Sequence, residues 1–382
     1  MRRYGISLVS EPLEPTGIGT YAIQLARRLG PLLEADERAV LLAHRRFPLE
    51  VEPHPRVVER RLRFPVRRSA FRRLFEQALV PLAALRARLR VLHSLNNVVP
   101  ALARGPHVVT IQDTRLFEAR ASRGPVVRAY RGLLYPHAVR RAARIICASR
   151  AIADDVARAF GLDAADLERR LRVVPFGVDE GFFAAPSPAA LAAARGALGL
   201  AADERRPVLL FVGSFEPNKN LVRLVEAFAR ARKGGLEVLL VLAGGGGADR
   251  PRVLEAVERS GAGDAVRAPG YLARAHLAAA YAAARAFVFP SLLEGFGLPV
   301  LEAFAAGTPV LASDIPVLRE VAGGAALHVA PSDGGALADA LVRIASDDAL
   351  REGLVERGLA RARALSWDAC ARATLEVYRE VA

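Results

Sequence analysis

The chain has 382 residues, 52% of them hydrophobic, and its 54 Lys+Arg against 40 Asp+Glu give a formal charge of +14. That length is too great for one typical domain and suits two, each with a large apolar core. The two cysteines, Cys147 and Cys370, are too few for a disulfide framework, and no run approaches the roughly 18 apolar residues of a membrane span.

Strand and helix patterns alternate along the whole chain, the mark of an α/β architecture with parallel sheets covered on both faces. The start, MRRYGISLVS, carries charge, but its apolar run is too short for a signal peptide and Glu11 follows, so a soluble, unexported, cytoplasmic protein is expected. A strand at Tyr4–Val9 leads through a loop ending TGIGTY to a helix from about Tyr21 to Leu29. Gly17 and Gly19 are expected in that loop. A loose G-x-G there fits a plain tight turn as well as a ligand loop.

Further strands are expected at Ala39–Leu42, Val91–His93, Val108–Ile111, Arg144–Ala148 and Leu171–Val174. Charge is concentrated in this half. Residues 1–178 hold 32 Arg against 16 Asp+Glu, whereas the remainder holds 22 cations against 24 anions. The densest stretch, Arg56 to Leu92, mixes arginines with Phe64, Phe71, Leu74 and Phe75. Three readings fit it: an anionic membrane surface, a solvated face, or nucleic acid. No zinc finger or aromatic RNP string accompanies it, which puts nucleic acid last.

The strand Val108–Ile111 ends at Gln112 and Asp113. Ligands of open parallel sheets bind beyond the carboxyl ends of strands, so this tip is placed to meet one. His93 and His107 lie nearby and are read first as ordinary loop histidines, second as bases. Ser149, in ASRAIADD, reads as a helix N-cap. The Pro- and Ala-rich stretch from Gly177 to about Arg206 reads as a linker with a lead-in helix. It separates a first domain, 1–178, from a second, 207–365, with 179–206 between them.

Strands of the second half are expected at Val208–Val212, Val238–Ala243, Phe287–Phe289, Val310–Ala312 and Leu327–Val329. Only two lysines occur, Lys219 and Lys233, among arginines everywhere else. Lys219 ends a loop, Gly213 to Lys219, ahead of a helix capped by Asn220. A flexible ammonium at such a junction suits a phosphate, although a plain surface lysine is the alternative. Lys233 has the ordinary explanation of a cation at a helix C-terminus. AGGGGADR, Ala243 to Arg250, lacks the glycine spacing and the later acidic residue of a dinucleotide fingerprint, and reads as a flexible strand-to-helix loop.

The most informative stretch runs from Pro290 to Asp314. A Gly-x-Gly turn, Gly295 to Gly297, follows a buried strand; Pro299 suits the first helical position, and Gly307 closes the helix. Glu294 then sits at a strand tip and Glu302, eight residues on, within the helix. The amides of Phe296, Gly297 and Leu298 at its N-terminus make an anion site. The bland alternative is a pair of glutamates that complement the helix dipole. No D-x-D triplet and no His/Cys cluster with metal-ligand spacing occurs, so no metal and no cofactor are expected.

EGFGLPVLEAFAAGTPV, Glu294 to Val310, resembles the signature of retaining glycosyltransferases of family 4, which have the two-domain GT-B fold. GSFEPNKN, Gly213 to Asn220, is similar to that family's G-S-x-x-P-x-K-N motif, with Ser214 where many relatives carry Arg. VVPFGVDEGFF, Val173 to Phe183, resembles its interdomain segment, with Phe176 where Asn is usual. The resemblance implies two Rossmann-like domains facing a cleft, with 366–382 crossing back as a helix to the first domain. It implies that Glu294 contacts the donor sugar, Glu302 the nucleotide ribose and Lys219 the diphosphate. Gly19, Gly213, Ser214, Tyr271 and the residues Phe296, Gly297 and Leu298 join them on the donor side. Gly17, Gln112 and Asp113 fall on the acceptor side, with Asp113 grouped with Glu294 and Lys219 as catalytic; relatives usually carry His where Gln112 stands.

The implied activity is metal-independent transfer of a hexosyl group, mannose from GDP-mannose favoured, from a nucleotide-diphosphate sugar to a saccharide or lipid-linked hydroxyl. The implied setting is cytoplasmic or peripheral on the inner face of the membrane. The alternative is a non-catalytic sugar-nucleotide-binding or scaffold subunit. Gln112 and Ser214 lean towards it, and the set of Glu294, Glu302 and Lys219 leans away.

Overall fold

The computed structural model describes residues 1–9, 17–47, 51–63, 69–112 and 125–382, with backbone alone at 69–74 and 125–131. Asp113 lies outside the described residues, as do Phe64 and the side chains of Phe71 and Leu74. The chain divides into two compact units, Met1–Phe176 with Trp367–Ala382, and Gly177–Ser366.

Among the described residues the first unit holds seven strands: β1 (Arg2–Leu8), β2 (Glu37–His44), β3 (Val57–Leu62), β4 (Val91–Ser94), β5 (His107–Ile111), β6 (Arg144–Cys147) and β7 (Leu171–Val173). They form one parallel sheet in the order β3-β2-β1-β4-β5-β6-β7. Its helices are α1 (Gly17–Leu32), α2 (Ser69–Arg86), α3 (Pro125–Arg141), α4 (Arg150–Phe160) and α5 (Ala164–Arg170). The β4 and β5 side chains are buried throughout, as expected of strands covered on both faces. Ser149 caps α4, its hydroxyl accepting from the Ile152 amide at 3.2 Å.

Three expectations need correction in this unit, the third being that His93 and His107 lie in loops. Gly17 and Gly19 form the first turn of α1 rather than the loop before it. The apolar period starts only at Tyr21, because glycine offers no side chain to mark the helix earlier. The basic stretch also contains a strand, β3, whose four central residues are exposed. It lies at the sheet edge, where charge protects against further pairing and erases the apolar signal. In the same stretch α2 exposes Leu82 and Leu85.

The second unit holds β8 (Val208–Val212), β9 (Leu239–Ala243), β10 (Val266–Gly270), β11 (Ala286–Phe289), β12 (Val310–Ser313) and β13 (Ala326–Val329), all parallel, in the order β10-β9-β8-β11-β12-β13. Its helices are α6 (Pro188–Ala197), α7 (Leu221–Lys233), α8 (Arg250–Ser260), α9 (Arg274–Ala282), α10 (Leu298–Ala305), α11 (Pro316–Ala322), α12 (Gly334–Ser346) and α13 (Asp348–Ala364). Strand β10 was not expected. It carries Pro269 and a register shift, which the edge position tolerates. Residues 179–206, read as a linker, are built into this unit: α6 packs on α9, and Phe182 is buried beside Tyr281, ring centroids 6.0 Å apart.

The last helix, α14 (Trp367–Val381), belongs to the first unit and packs on α1. Trp367, Phe176 and Tyr21 stack in series, with centroids 5.7 and 4.5 Å apart. The aromatic at 176 is thus a core residue. Glu37 is wholly buried, accepts from Tyr4 Oη at 2.8 Å, and is gripped by Arg379 Nε and Nη2 at 2.9 and 2.8 Å. Those bonds from Arg379 hold its carboxyl down at about 2. Neither histidine weighed as a base is in a loop. His107 is buried with Nε2 3.1 Å from the Ala103 carbonyl. His93 is fully buried between Tyr378 Oη, 2.7 Å from Nδ1, and Thr110 Oγ1, 2.8 Å from Nε2.

Burial lowers His93 to about 3 and lowers His107 as well. The folded values lie below the ordinary value of about 6.5, so the unfolded chain binds more protons over that window. Stability is therefore fully present above about pH 6.5 and falls as pH drops, by at most about 1.4 kcal/mol per unit for each group. Urea midpoints measured at pH 7.5, 6 and 5 should fall in that order. His93→Gln should begin lower at pH 7.5 and lose less on acidification; an unchanged slope would refute the assignment.

Candidate active site

In each parallel sheet the carboxyl ends of all strands lie along one side, and the loops leaving β8, β9 and β11 meet there in the second unit. The Gly213 amide donates to the Ala243 carbonyl at 3.0 Å and the Phe215 amide to Gly246 at 3.0 Å, while the Asp249 amide donates to Phe215 at 2.9 Å. A Cβ on Gly244 would collide with the Gly213 carbonyl. The glycine run after β9 therefore lets two backbones touch and is tethered along its length, which corrects its reading as a flexible loop.

The loop after β8 closes with a 3₁₀ turn at Pro217–Lys219 and Asn220 in the left-handed region, φ 58°. Asn220 precedes α7 but makes no side-chain cap bond, contrary to expectation. Its amide instead donates to the carbonyls of Pro290 and Pro331, at 3.2 and 2.9 Å. Asn218 is tied to the β11 loop in both directions: its side chain donates to Leu293 O at 3.0 Å, and its carbonyl accepts from the Leu292 amide at 2.7 Å. Three of these hydrogen bonds fix one loop on the other, and the fourth ties Asn220 to Pro331 beyond β13. They bring Lys219 Nζ to 2.5 Å from Glu294 Oε1 and 4.8 Å from the centre of the Phe289 ring. Only 14% of the lysine side chain and 11% of the glutamate is exposed.

Helix α10 begins immediately beyond. Gly297, at φ 99°, turns the chain into it, and a Cβ there would stand 2.7 Å from Leu318 Cδ2, so both conformation and space call for glycine. Pro299 sits at the second helical position, one later than expected, and Gly307 follows the helix at φ 70°. The first amides of an α-helix have no carbonyl a turn earlier to bond, and they aim a positive dipole end at this corner. Phe296 is buried, anchoring the turn.

Glu302 lies one turn along α10, half-buried, and accepts from Tyr281 Oη at 3.1 Å. Burial raises its pKa, against the Tyr281 hydrogen bond and the charge of Arg274, which lower it. Arg274 is itself paired with Asp179 at 3.0 Å. Sequence reading missed Tyr281, Asn218, Arg274 and Asp179. The one local signal for Tyr281 was a lone tyrosine in the alanine-rich run AHLAAAYAAA.

The remaining expected residues are dispersed. Ser214 is exposed beside Gly213. Tyr271 is 76% exposed, with its Cβ close to Gly245 in the glycine run. In the first unit Gln112 is buried, its amide N–H donating to Asn97 Oδ1 at 2.9 Å and its side chain to the Leu95 carbonyl at 3.3 Å. Its side-chain amide thereby ties the tips of β4 and β5 together. Among the described residues, no three or more His, Cys, Asp or Glu gather as a metal-binding group.

Residues 199–361 match the model for glycosyl transferases group 1, and residues 15–182 match that for glycosyltransferase family 4. A D-inositol 3-phosphate glycosyltransferase of Kribbella flavida is 31% identical over 412 residues, covering 98% of this chain and 94% of the relative. The O-antigen chain mannosyltransferase B of Escherichia coli is 37% identical over 171 residues, 44% of this chain and 45% of the relative. With it and other curated relatives the matched part spans only 45% to 58% of their length. Anabaena HepE, solved in complex with UDP-glucose, shares the fold over 100% of both chains, with a TM-score of 0.74 at 18% identity. With a relative above 30% identity along nearly its whole length, family models on both halves and two parallel sheets of this topology, the chain belongs to glycosyltransferase family 4 and has the GT-B fold.

Proposed function

We propose that the protein transfers a hexosyl group, with retention, from a nucleotide-diphosphate sugar to a hydroxyl of a saccharide or lipid-linked acceptor. The observation that carries this reading is Lys219 and Glu294 held 2.5 Å apart beside the N-terminus of α10. A diphosphate placed there meets an ammonium and a helix dipole, and both stabilise the charge that grows on it as the bond to C1 breaks. Glu294 then takes the sugar hydroxyls and favours the oxocarbenium-like transition state. The acceptor oxygen bonds to C1, the departing phosphate oxygen takes the acceptor proton, and a nucleoside diphosphate leaves. Glu302 holds the ribose, with Tyr281 fixing the orientation of its carboxyl. Positive charge comes from the protein itself, so transfer needs no metal. Mannose from GDP-mannose is the favoured donor, supported by the similarity to an O-antigen mannosyltransferase.

A lipid-linked acceptor also fits the charge of the first unit. We place the exposed leucines of α2, Leu82 and Leu85, beside Arg86 against an anionic membrane surface. No helix among the described residues is long and apolar enough to cross a membrane, so any such attachment through the described helices is peripheral.

With a saccharide acceptor and GDP-mannose, Glu294→Gln and Lys219→Ala should each lower turnover by about 10²-fold to 10³-fold with unchanged circular dichroism. EDTA should leave the wild-type rate unchanged. Wild-type turnover in either variant, or EDTA inhibition reversed by Mn²⁺, would sink the corresponding part of this mechanism. In a thermal-shift panel of UDP-, GDP-, ADP- and dTDP-sugars the GDP-sugar should stabilise most; a larger shift with another base reassigns the donor. Leu82→Glu/Leu85→Glu should reduce co-sedimentation with vesicles containing phosphatidylglycerol, and equal sedimentation would remove the membrane surface from the proposal.

A further inference from the structure

We infer that Lys219 and Glu294 form a latch that the donor's diphosphate opens, so that Glu294 becomes available to a sugar only when the sugar arrives on a nucleotide. This rests on the donor site proposed above. The two side chains are joined at 2.5 Å, and both are mostly shielded from water. Their meeting is built in, because Asn218 and Asn220 pin the lysine's loop to residues 290–293 on one side and Pro331 on the other. The Phe289 ring, its centre 4.8 Å from Nζ, backs the ammonium with a cation–π contact. Each charge is therefore the other's partner. A carboxylate held this way is already engaged, and a free sugar carries no charge able to compete for the lysine.

A diphosphate changes the balance. It presents more negative charge than the carboxylate, and it is also attracted by the N-terminus of α10. Lys219 turns to it, and the new phosphate charge repels Glu294 at close range. The released carboxylate then faces the sugar attached to that same phosphate. The pair works as a specificity device: recognition of the nucleotide half of the donor precedes engagement of the sugar half. It also has a cost, since a nucleoside diphosphate must first part the pair. The affinity for nucleotide alone is reduced by the fraction of protein in the latched state.

The test is calorimetric titration of GDP and of UDP into wild type, Glu294→Gln, Lys219→Ala and the double variant, with Glu294→Ala as a second way of removing the carboxylate. For whichever nucleotide binds, removing Glu294 should tighten binding about threefold to fivefold, as expected for the loss of a competing, partly shielded ion pair. That gain comes from an enzyme that has lost turnover. In the Lys219→Ala background the same substitution should change nucleotide affinity little. Two results overturn the latch: no tightening in either Glu294 variant, or tightening that persists undiminished without Lys219, which is simple repulsion of phosphate by carboxylate. If Lys219→Ala itself binds both nucleotides as wild type does, the assignment of Lys219 to the diphosphate fails, and the latch fails with it.

Discussion

The parallel run of every described strand is the constraint on which the rest of this molecule depends. A parallel strand cannot return by a hairpin, so each must be followed by a crossover, and each sheet is clothed in helices on both faces. It follows that in each sheet all strands point their carboxyl ends the same way. In the second unit the loops after β8, β9 and β11 are thereby gathered at one end without any interaction of their own. What remains for those loops is to fit against each other at short range. The Gly213–Gly244 backbone contact and the amides of Asn218 and Asn220 do this.

The chemistry of the site is electrostatic and asymmetric. At one end stand a shielded lysine and a helix N-terminus, and at the other a half-buried glutamate whose partner is a neutral tyrosine hydroxyl. Glu294 and Glu302 look alike in sequence and differ in environment. The first has a full positive charge at 2.5 Å, whereas the second has only a hydrogen-bond donor at 3.1 Å and is pushed towards neutrality by burial. Two carboxylates eight residues apart thus stand in different surroundings, one against an ammonium and one against a tyrosine hydroxyl.

The central strands were legible because they are continuous apolar runs, such as VLLFV in β8 and LLVLA in β9. The two strands missed, β3 and β10, are both at sheet edges, where charge or proline replaces the apolar signal. Lys219 stood out because this chain hardly uses lysine, and the turn before α10 because its glycines need little company. The clamp that positions Lys219 was hidden: Asn220 reads locally as a helix cap, yet its amide bonds carbonyls 70 and 111 residues away. No local pattern encodes such a partner. The glycine run after β9 misled for the same reason, since composition suggests mobility and only the neighbouring backbone reveals a packing need. His93 likewise has its partners in β5 and in α14, 285 residues on for Tyr378.

The return of α14 means that the first unit is begun before the second and completed after it. Buried Glu37 has Arg2 Nη2 3.5 Å away, but its two hydrogen bonds from a guanidinium wait for Arg379, 342 residues later. Closing a loop of that length in a disordered chain costs about 5 kcal/mol of entropy. The second unit shortens the loop, because its own ends meet in a bridge between Val178 and Ser366. Once folded, it hands the chain back where it took it over. On a nascent chain it therefore acts as a folded insertion whose closure brings the final helix within reach of the sheet begun at residue 2.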